Sequence, residues 1–360
     1  MSDSTSSADQ YSGTKPIEEK HQFDVGQLED YLKANLSGFS GPLKVEQFRG
    51  GQSCPTYLLS ASSGRYVLRR KPPGKLLPSA HAVDREYRVM SALAKEGFPV
   101  PTPYLLCEDD DVVGTMFYVM DFIEGKVYWD PAMPDLDEDK RLAAYADMAH
   151  TMAKLHTYDV AAIGLEDFGR PGNYFARQIS RWSKQYLASE TDQVKEMHDL
   201  MAWLPESNPA DDTACLVHGD YSMHNVLYHP NEPKVVAILD WEISTLGHPL
   251  GDVSYNTLIW YGPRFEGGMA TLASTDCASL GVPNLDEYMQ IYFDAVGRDP
   301  VTDMAWYRAY TMFRLACIYQ GIVGRVRDGT AANPHAMELA ARVKPLAELA
   351  WTEAKTLGAR

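Results

Sequence analysis

The chain has 360 residues, 45% of them hydrophobic, and a formal net charge of −16. That length holds two lobes or two modest domains around a sizeable core, and the acidic balance excludes a nucleic-acid backbone as the main partner. No apolar run approaches the ~20 residues of a membrane helix, and no hydrophobic secretory segment opens the chain. The five cysteines (54, 107, 215, 277 and 317) are scattered and form no zinc-type pair. These features predict a cytoplasmic protein with reduced thiols, no membrane partner, and a monomeric or homodimeric state.

Residues 1–22 carry almost nothing to bury and read as a disordered tail. Val25, Leu28, Leu32 and Leu36 recur at helical spacing, and Gly41-Pro42 marks a break beyond them. Residues 44–70 read as three strands: Lys44 to Phe48, Thr56 to Leu59 and Tyr66 to Arg69. Between the first two lies Gly50-Gly51-Gln52-Ser53. Such a turn is either a plain hairpin or a cradle of backbone N–H groups for phosphate, with Ser53 as an added donor. Residues 81–95 predict a helix with Val83, Tyr87, Met90 and Leu93 on one face, stopped by Pro99, Pro101 and Pro103. Residues 104–108 and 115–123 predict paired strands. Beyond 124 the pattern turns helical, notably at 141–157, 174–187, 253–262, 284–296, 301–327 and 335–357.

The richest stretch is Leu216 to Asp252. Two short apolar runs, Leu216-Val217 and Val235 to Leu239, each lead into an acidic residue within three positions. A strand ending in a carboxylate sets that carboxylate at the rim of a sheet. Asp220, then Asn225 five residues on, then Asp240 after the second strand are all oxygen ligands hard enough for Mg²⁺. Any one of them alone is an ordinary solvated turn residue. Together they have the spacing of a kinase catalytic loop followed by a metal-binding Asp.

His218-Gly219-Asp220-x₄-Asn225 followed by Ile238-Leu239-Asp240-Trp241-Glu242 resembles the aminoglycoside phosphotransferase and choline kinase superfamily of small-molecule kinases. Tyr66 to Gly74 and His248-Pro249-Leu250-Gly251-Asp252 bring it closest to the phosphotransferase-like domains associated with acyl-CoA dehydrogenases. The resemblance implies an α+β, bilobal protein-kinase-like fold. Residues 23–123 would form an N-terminal nucleotide-binding lobe with an antiparallel sheet and hinge, and 124–360 a larger, mainly helical catalytic and substrate-binding lobe. It implies ATP and Mg²⁺ as cofactors and the hydroxyl of a small molecule as acceptor.

The roles follow residue by residue. Asp220 would orient or deprotonate the acceptor hydroxyl, and His218 would order the loop. Asn225 and Asp240 would hold Mg²⁺, and Asp252 would fix the loop through its backbone. Arg69 would meet the phosphates where many kinases carry Lys, although the strand register leaves Arg70 open for that role. Glu86 would pair with Arg69, and the backbones of Asp121 and Ile123 would bind adenine. Three rivals stand beside this reading; a protein kinase is the least favoured, since no Ala-Pro-Glu segment end follows Asp240, and two others remain. One is a metallohydrolase using His218, Asp220, His224 and Asp240. The other is a nucleotide-binding protein without catalysis. The acceptor is open; hydroxy-acids and hydroxyacyl thioesters fit the closest subgroup, with Arg177, Arg181, Arg264, Arg314, Arg325 and Arg327 as basic groups to receive an acid.

Overall fold

The computed structural model describes residues 13–49, 54–73, 81–265, 270–301, 303–329 and 336–360. The elements in chain order begin with β1 (Thr14–Lys15), α1 (Val25–Asn35), β2 (Lys44–Phe48), β3 (Thr56–Ala61), β4 (Gly64–Arg70), α2 (Val83–Lys95), β5 (Pro103–Cys107) and β6 (Phe117–Asp121). They continue with α3 (Glu138–His156), α4 (Tyr174–Ser189), α5 (Lys195–Glu206), β7 (Cys215–Val217), β8 (Val226–Tyr228), β9 (Val235–Ile238) and β10 (Thr245–Gly247). The last helices are α6 (Pro249–Asn256), α7 (Leu285–Val296), α8 (Ala305–Arg327) and α9 (Ala336–Thr356).

The chain divides into two compact units. The first takes the described residues up to Trp129 together with Ile163–Leu165 and His224–Ser244; the second takes Asp130–Ala162, Glu166–Met223 and Thr245–Arg360. This differs from a single boundary at 123/124. The β8–β9 hairpin belongs to the first unit because its backbone is hydrogen-bonded there. Lys126 and Tyr228 exchange N–H···O bonds of 2.8 and 2.9 Å, and the Ile238 N–H donates to the Pro99 carbonyl at 2.8 Å. Gly125 permits that approach: a Cβ there would stand 2.8 Å from the Tyr228 carbonyl oxygen.

In the first unit, six antiparallel strands run in the order β1-β2-β3-β4-β6-β5. The period of two sorts their side chains. Tyr57, Leu59, Leu68, Phe117 and Val119 face one side and bury against Leu28 and Leu32 of α1. Asp24 starts α1 by accepting the Gln27 N–H. Fully burying Leu28 and Leu32 contributes about 1.5–3 kcal/mol each. The expectation of a disordered 1–22 needs correction from residue 13 on. Thr14 and Lys15 pair with Phe48 and Gln47, and Glu19–His21 form a short 3₁₀ turn. The edge of β2 supplies backbone groups that need partners, which the polar composition of the tail does not reveal. Residues 1–12 lie outside the described residues.

The second unit is mainly helical. Asp137 caps α3, which buries Ala144, Tyr145, Met148, Ala149, Met152 and Leu155 along one stripe. Helix α8 is buried on most of its circumference and packs against α4, α6 and α9. The strands β7 and β10 pair antiparallel, Leu216 opposite Leu246. Gly247 is required in β10, since a Cβ would meet the Tyr174 ring at 2.6 Å. A sheet unit and a helical unit make the α+β architecture that the sequence predicts.

Candidate active site

The two neighbouring arginines of β4 part company by strand alternation. Arg70 turns toward α1. It donates to the Val113 carbonyl and, at 3.0 Å, to the His21 carbonyl, and its guanidinium lies over the Phe23 and Tyr57 rings. It is a structural cation. Arg69 turns to the opposite face, toward α2. Its Nε reaches Glu86 Oε2 at 2.9 Å and its Nη2 reaches Asp240 Oδ1 at 2.8 Å, with Glu242 Oε2 at 3.7 Å. The Tyr118 hydroxyl donates to Glu86 Oε2 at 2.9 Å. Packing thus separates the pair: Arg69 stands among carboxylates, and Arg70 against carbonyls and rings.

Three carboxylates around one guanidinium leave this pocket negative. Burial pushes the Glu86 carboxyl up to about 7, and Asp240 and Glu242 push the same way, while Arg69 and the Tyr118 hydroxyl pull it down. Burial disfavours the charge on Arg69, but Glu86 and Asp240 more than offset that and hold it protonated. An Arg69→Lys variant keeps the charge but not the fork. One ammonium cannot serve Glu86 and Asp240 in the geometry that Nε and Nη2 share. We expect a loss of about 1.5–3 kcal/mol, read from urea denaturation midpoints at constant m.

Asn225 and Asp240 stand at the same end of the β8–β9 hairpin. Asn225 immediately precedes β8 and its carbonyl accepts the Leu239 N–H at 2.8 Å; Asp240 follows two residues after β9 ends. Asp240 has a left-handed backbone, φ 64°, which a non-glycine residue holds only when its surroundings impose it. The next residue supplies that constraint. Trp241 is 1% exposed, packs edge-on against Phe98, and its indole N–H donates to the Ile238 carbonyl at 3.0 Å.

His224 lies beside Asn225 but serves packing. Its ring sits 4.7 Å from that of Trp129, and its buried Nε2 has no hydrogen-bond partner. Among the described residues, the His/Cys/Asp/Glu groups with converging ligand atoms are Cys54–His81–Glu242 and Glu86–Asp240–Glu242; His224 belongs to neither. Burial pushes the His224 ring down to about 4. Folded protein then binds this proton only below about 4, whereas the unfolded chain binds it near 6.5. Stability carries no penalty above about 6.5 and loses up to about 3 kcal/mol as pH falls to 4. His224→Phe should flatten that part of the stability curve in denaturant titrations, leaving pH 7 stability within ~1 kcal/mol of wild type.

In the second unit a different carboxylate organises the His218–Asp220 loop. Helix α6 begins at Pro249, capped by His248, whose side chain accepts the Leu250 N–H. Asp252 sits in its first turn and is 1% exposed. Its Oδ2 accepts the His218 N–H at 2.7 Å and its Oδ1 accepts the Gly219 N–H at 2.8 Å. His156 Nε2 adds a contact to Oδ2 at 3.2 Å, and its Nδ1 meets the Tyr292 hydroxyl at 2.8 Å. Burial pushes the Asp252 carboxyl up, but His156, His218 and the loop N–H groups outweigh it and hold the group below its ordinary range. Gly219 takes φ 83°, a conformation suited to glycine, and its carbonyl accepts from Arg314 Nη2 at 2.7 Å. The Asp220 N–H donates to His218 Nδ1 at 3.2 Å, and Tyr255 hydrogen-bonds the Asp220 side chain.

Several residues escape sequence reasoning here. His156, the last residue of α3, is a partner of Asp252. Arg314 reads as a receiver for an acidic substrate and is instead spent on the Gly219 carbonyl and the Tyr255 and Trp182 rings. Tyr255 gives no local signal. The aromatic set Tyr174, Phe175 and Tyr310 is core packing. At the end of β6, the Asp121 N–H donates to the Thr102 carbonyl at 2.9 Å, so only the Asp121 carbonyl and the Ile123 backbone stay in the adenine reading. Ser53 and its glycine turn lie outside the described residues.

Comparison with known proteins places this geometry. The profile of the phosphotransferase enzyme family matches residues 44–292. Acyl-CoA dehydrogenase family member 10 of Mus musculus is 40% identical over 348 residues, covering 96% of this chain and 33% of that protein. The chain thus spans about a third of that relative's length. A Ralstonia eutropha JMP134 protein, provisionally assigned as an aminoglycoside phosphotransferase, has a crystal structure with 45% identity and a TM-score of 0.83, covering 93% of this chain and 99% of its own. Spectinomycin phosphotransferase, solved with ADP and spectinomycin, shares the fold at 14% identity and a TM-score of 0.62, over 92% of this chain and 99% of its own. The catalytic-loop motif, the Arg69–Glu86 pair and a profile match over more than two thirds of the residues converge: this chain belongs to the phosphotransferase enzyme family and has its kinase-like fold.

Proposed function

We propose that the protein is an ATP- and Mg²⁺-dependent phosphotransferase that moves the γ-phosphoryl group onto a hydroxyl of a small molecule. The observation that carries this reading is the Asp252 clamp. One buried carboxylate takes the N–H groups of both His218 and Gly219, so Asp220 stands at the head of a fixed loop. Asp220 accepts the acceptor's hydroxyl proton as the new O–P bond forms and the nucleotide's bridging P–O bond breaks. Arg69, held by Glu86, presents a guanidinium to the phosphates.

Asn225 and Asp240 fit a hard divalent cation, since both offer oxygen and both stand at one end of the β8–β9 hairpin in a pocket with surplus negative charge. Mg²⁺ held there would neutralise charge on the transferring group. The ADP bound by spectinomycin phosphotransferase supports an adenine nucleotide here. The acyl-CoA dehydrogenase names of the longer relatives support a hydroxy-acid or hydroxyacyl thioester as acceptor.

Two measurements test this. At ~100 times its dissociation constant, ATP with Mg²⁺ should stabilise the protein by ~2.7 kcal/mol, and ATP without divalent cation by clearly less. ATP consumption should then rise with one class in a panel of hydroxylated acceptors. Stabilisation without turnover on any hydroxyl class would favour the non-catalytic reading.

A further inference from the structure

One group of side chains near Arg69 is not used by the proposed transfer. Glu242 sends Oε2 toward Arg69, but its Oε1 lies 3.0 Å from His81 Nδ1. The same nitrogen lies 3.6 Å from Cys54 Sγ. One ligand atom from each of the three falls within 4.8 Å of the others. Around a tetrahedral ion with bonds of about 2.0–2.3 Å, ligand atoms stand about 3.3–3.8 Å apart, so the three are already close to that arrangement.

Three further features fit. Cys54 is fully buried while His81 and Glu242 are partly exposed, so the imidazole and carboxylate of the set meet solvent. His81 holds a left-handed backbone, φ 56°, and so presents its ring from a conformation its own preferences do not select. The pocket behind Glu242 carries excess negative charge, from Glu86 and Asp240 against one Arg69. The donor set is also chemically distinct. Asn225 and Asp240 offer only hard oxygen, whereas thiolate, imidazole and carboxylate together suit a borderline ion.

We propose that Cys54, His81 and Glu242 form a transition-metal site of the zinc class in the sheet unit, separate from the Mg²⁺ position at Asn225 and Asp240. Binding transfers the Cys54 thiol proton to solvent and joins the sulfur lone pair to the metal; no oxidant or reductant takes part. Glu242 then holds the ion through Oε1 while Oε2 faces Arg69, so the site is one side chain removed from the phosphate-binding cation. In the absence of such an ion, the same three residues are a His81–Glu242 contact of 3.0 Å with a thiol packed against it.

Cobalt(II) separates these states. The chelator-treated, reduced 360-residue protein is titrated with CoCl₂ in excess MgCl₂. We expect one equivalent to bind, with a thiolate-to-cobalt charge-transfer band and tetrahedral d–d bands, and ZnCl₂ to displace it one for one. Cys54→Ser should abolish the charge-transfer band. His81→Ala should weaken binding by at least ~100-fold, beyond the 10–100-fold that loss of an outer-shell partner costs. His224→Phe should change nothing. No thiolate band, or a band that survives Cys54→Ser, overturns the site. If Cys54→Ser does not fold, unchanged cobalt affinity in His81→Ala overturns it instead. None of these readouts depends on phosphoryl transfer, so the site can fail while the phosphotransferase reading stands, and the reverse.

Discussion

Replacing Asp220 by Asn is expected to lower phosphoryl transfer by ~10²–10⁴-fold, the contribution of a positioned general base. The substitution keeps the side chain's shape. The Asp220 N–H still donates to His218 Nδ1, and an amide oxygen can still take the Tyr255 hydrogen bond. What it removes is basicity and charge. The melting temperature and the Mg²⁺–nucleotide affinity should therefore match wild type, and the loss should fall on kcat. Wild-type turnover in Asp220→Asn would refute the role of this residue. A loss shared equally between nucleotide affinity and turnover would point to a disturbed loop, with Asp220 acting as a structural anchor.

The second large effect belongs to Asp252, which touches no reactant in the proposed scheme. Asp252→Ala removes the acceptor for two buried backbone donors, His218 N–H and Gly219 N–H, and for His156 Nε2. Each buried donor left without its acceptor costs about 1–3 kcal/mol in desolvation, so the two loop N–H groups together cost several kcal/mol. We expect a stability loss of at least that size, together with a fall in transfer because the loop bearing Asp220 is no longer fixed. Asp252→Asn is the informative companion. It keeps one acceptor oxygen but turns the other position into a donor that opposes a backbone N–H. It should fold more stably than Asp252→Ala and still transfer poorly. Chemical denaturation and steady-state kinetics on the pair separate the two contributions.

The pH dependence carries a sign that checks this picture. Asp252 is held below its ordinary range in the folded protein, so its contribution is fully present above the unfolded carboxyl's pKa and is lost as pH falls through the folded value. His224 acts over a higher window, with its penalty growing from about 6.5 down to about 4. Acid sensitivity between those limits should therefore respond to His224→Phe, and the residual loss at lower pH should be absent from Asp252→Ala.

Much of this was readable from local pattern. The alternation of β4 put Val67 and Arg69 on one face and Arg70 on the other, because a strand has a period of two. The Asp220-x₄-Asn225 spacing and Asp240 after an apolar strand marked the catalytic stretch, because a loop and a hairpin end position their side chains over a few residues. Glu86 was findable from its place on the helix after β4. The long helices α3, α4, α7, α8 and α9 followed from their apolar stripes. By contrast, β8 and β10 are three residues each, too short for any pattern, and exist only because each finds a partner strand.

The amino-acid order alone determined which residue types could do the chemistry and roughly where they lie along the chain. Tertiary structure alone decided that Arg70 is spent on carbonyls while Arg69 also meets Asp240, that Arg314 and Asp252 close on one loop from different helices, and that Cys54, His81 and Glu242 converge. Arg314 lies 95 positions from the Gly219 it holds, and Arg69 lies 171 from Asp240. Contacts at such separations come from how buried surfaces pack, and local periodicity carries no record of them.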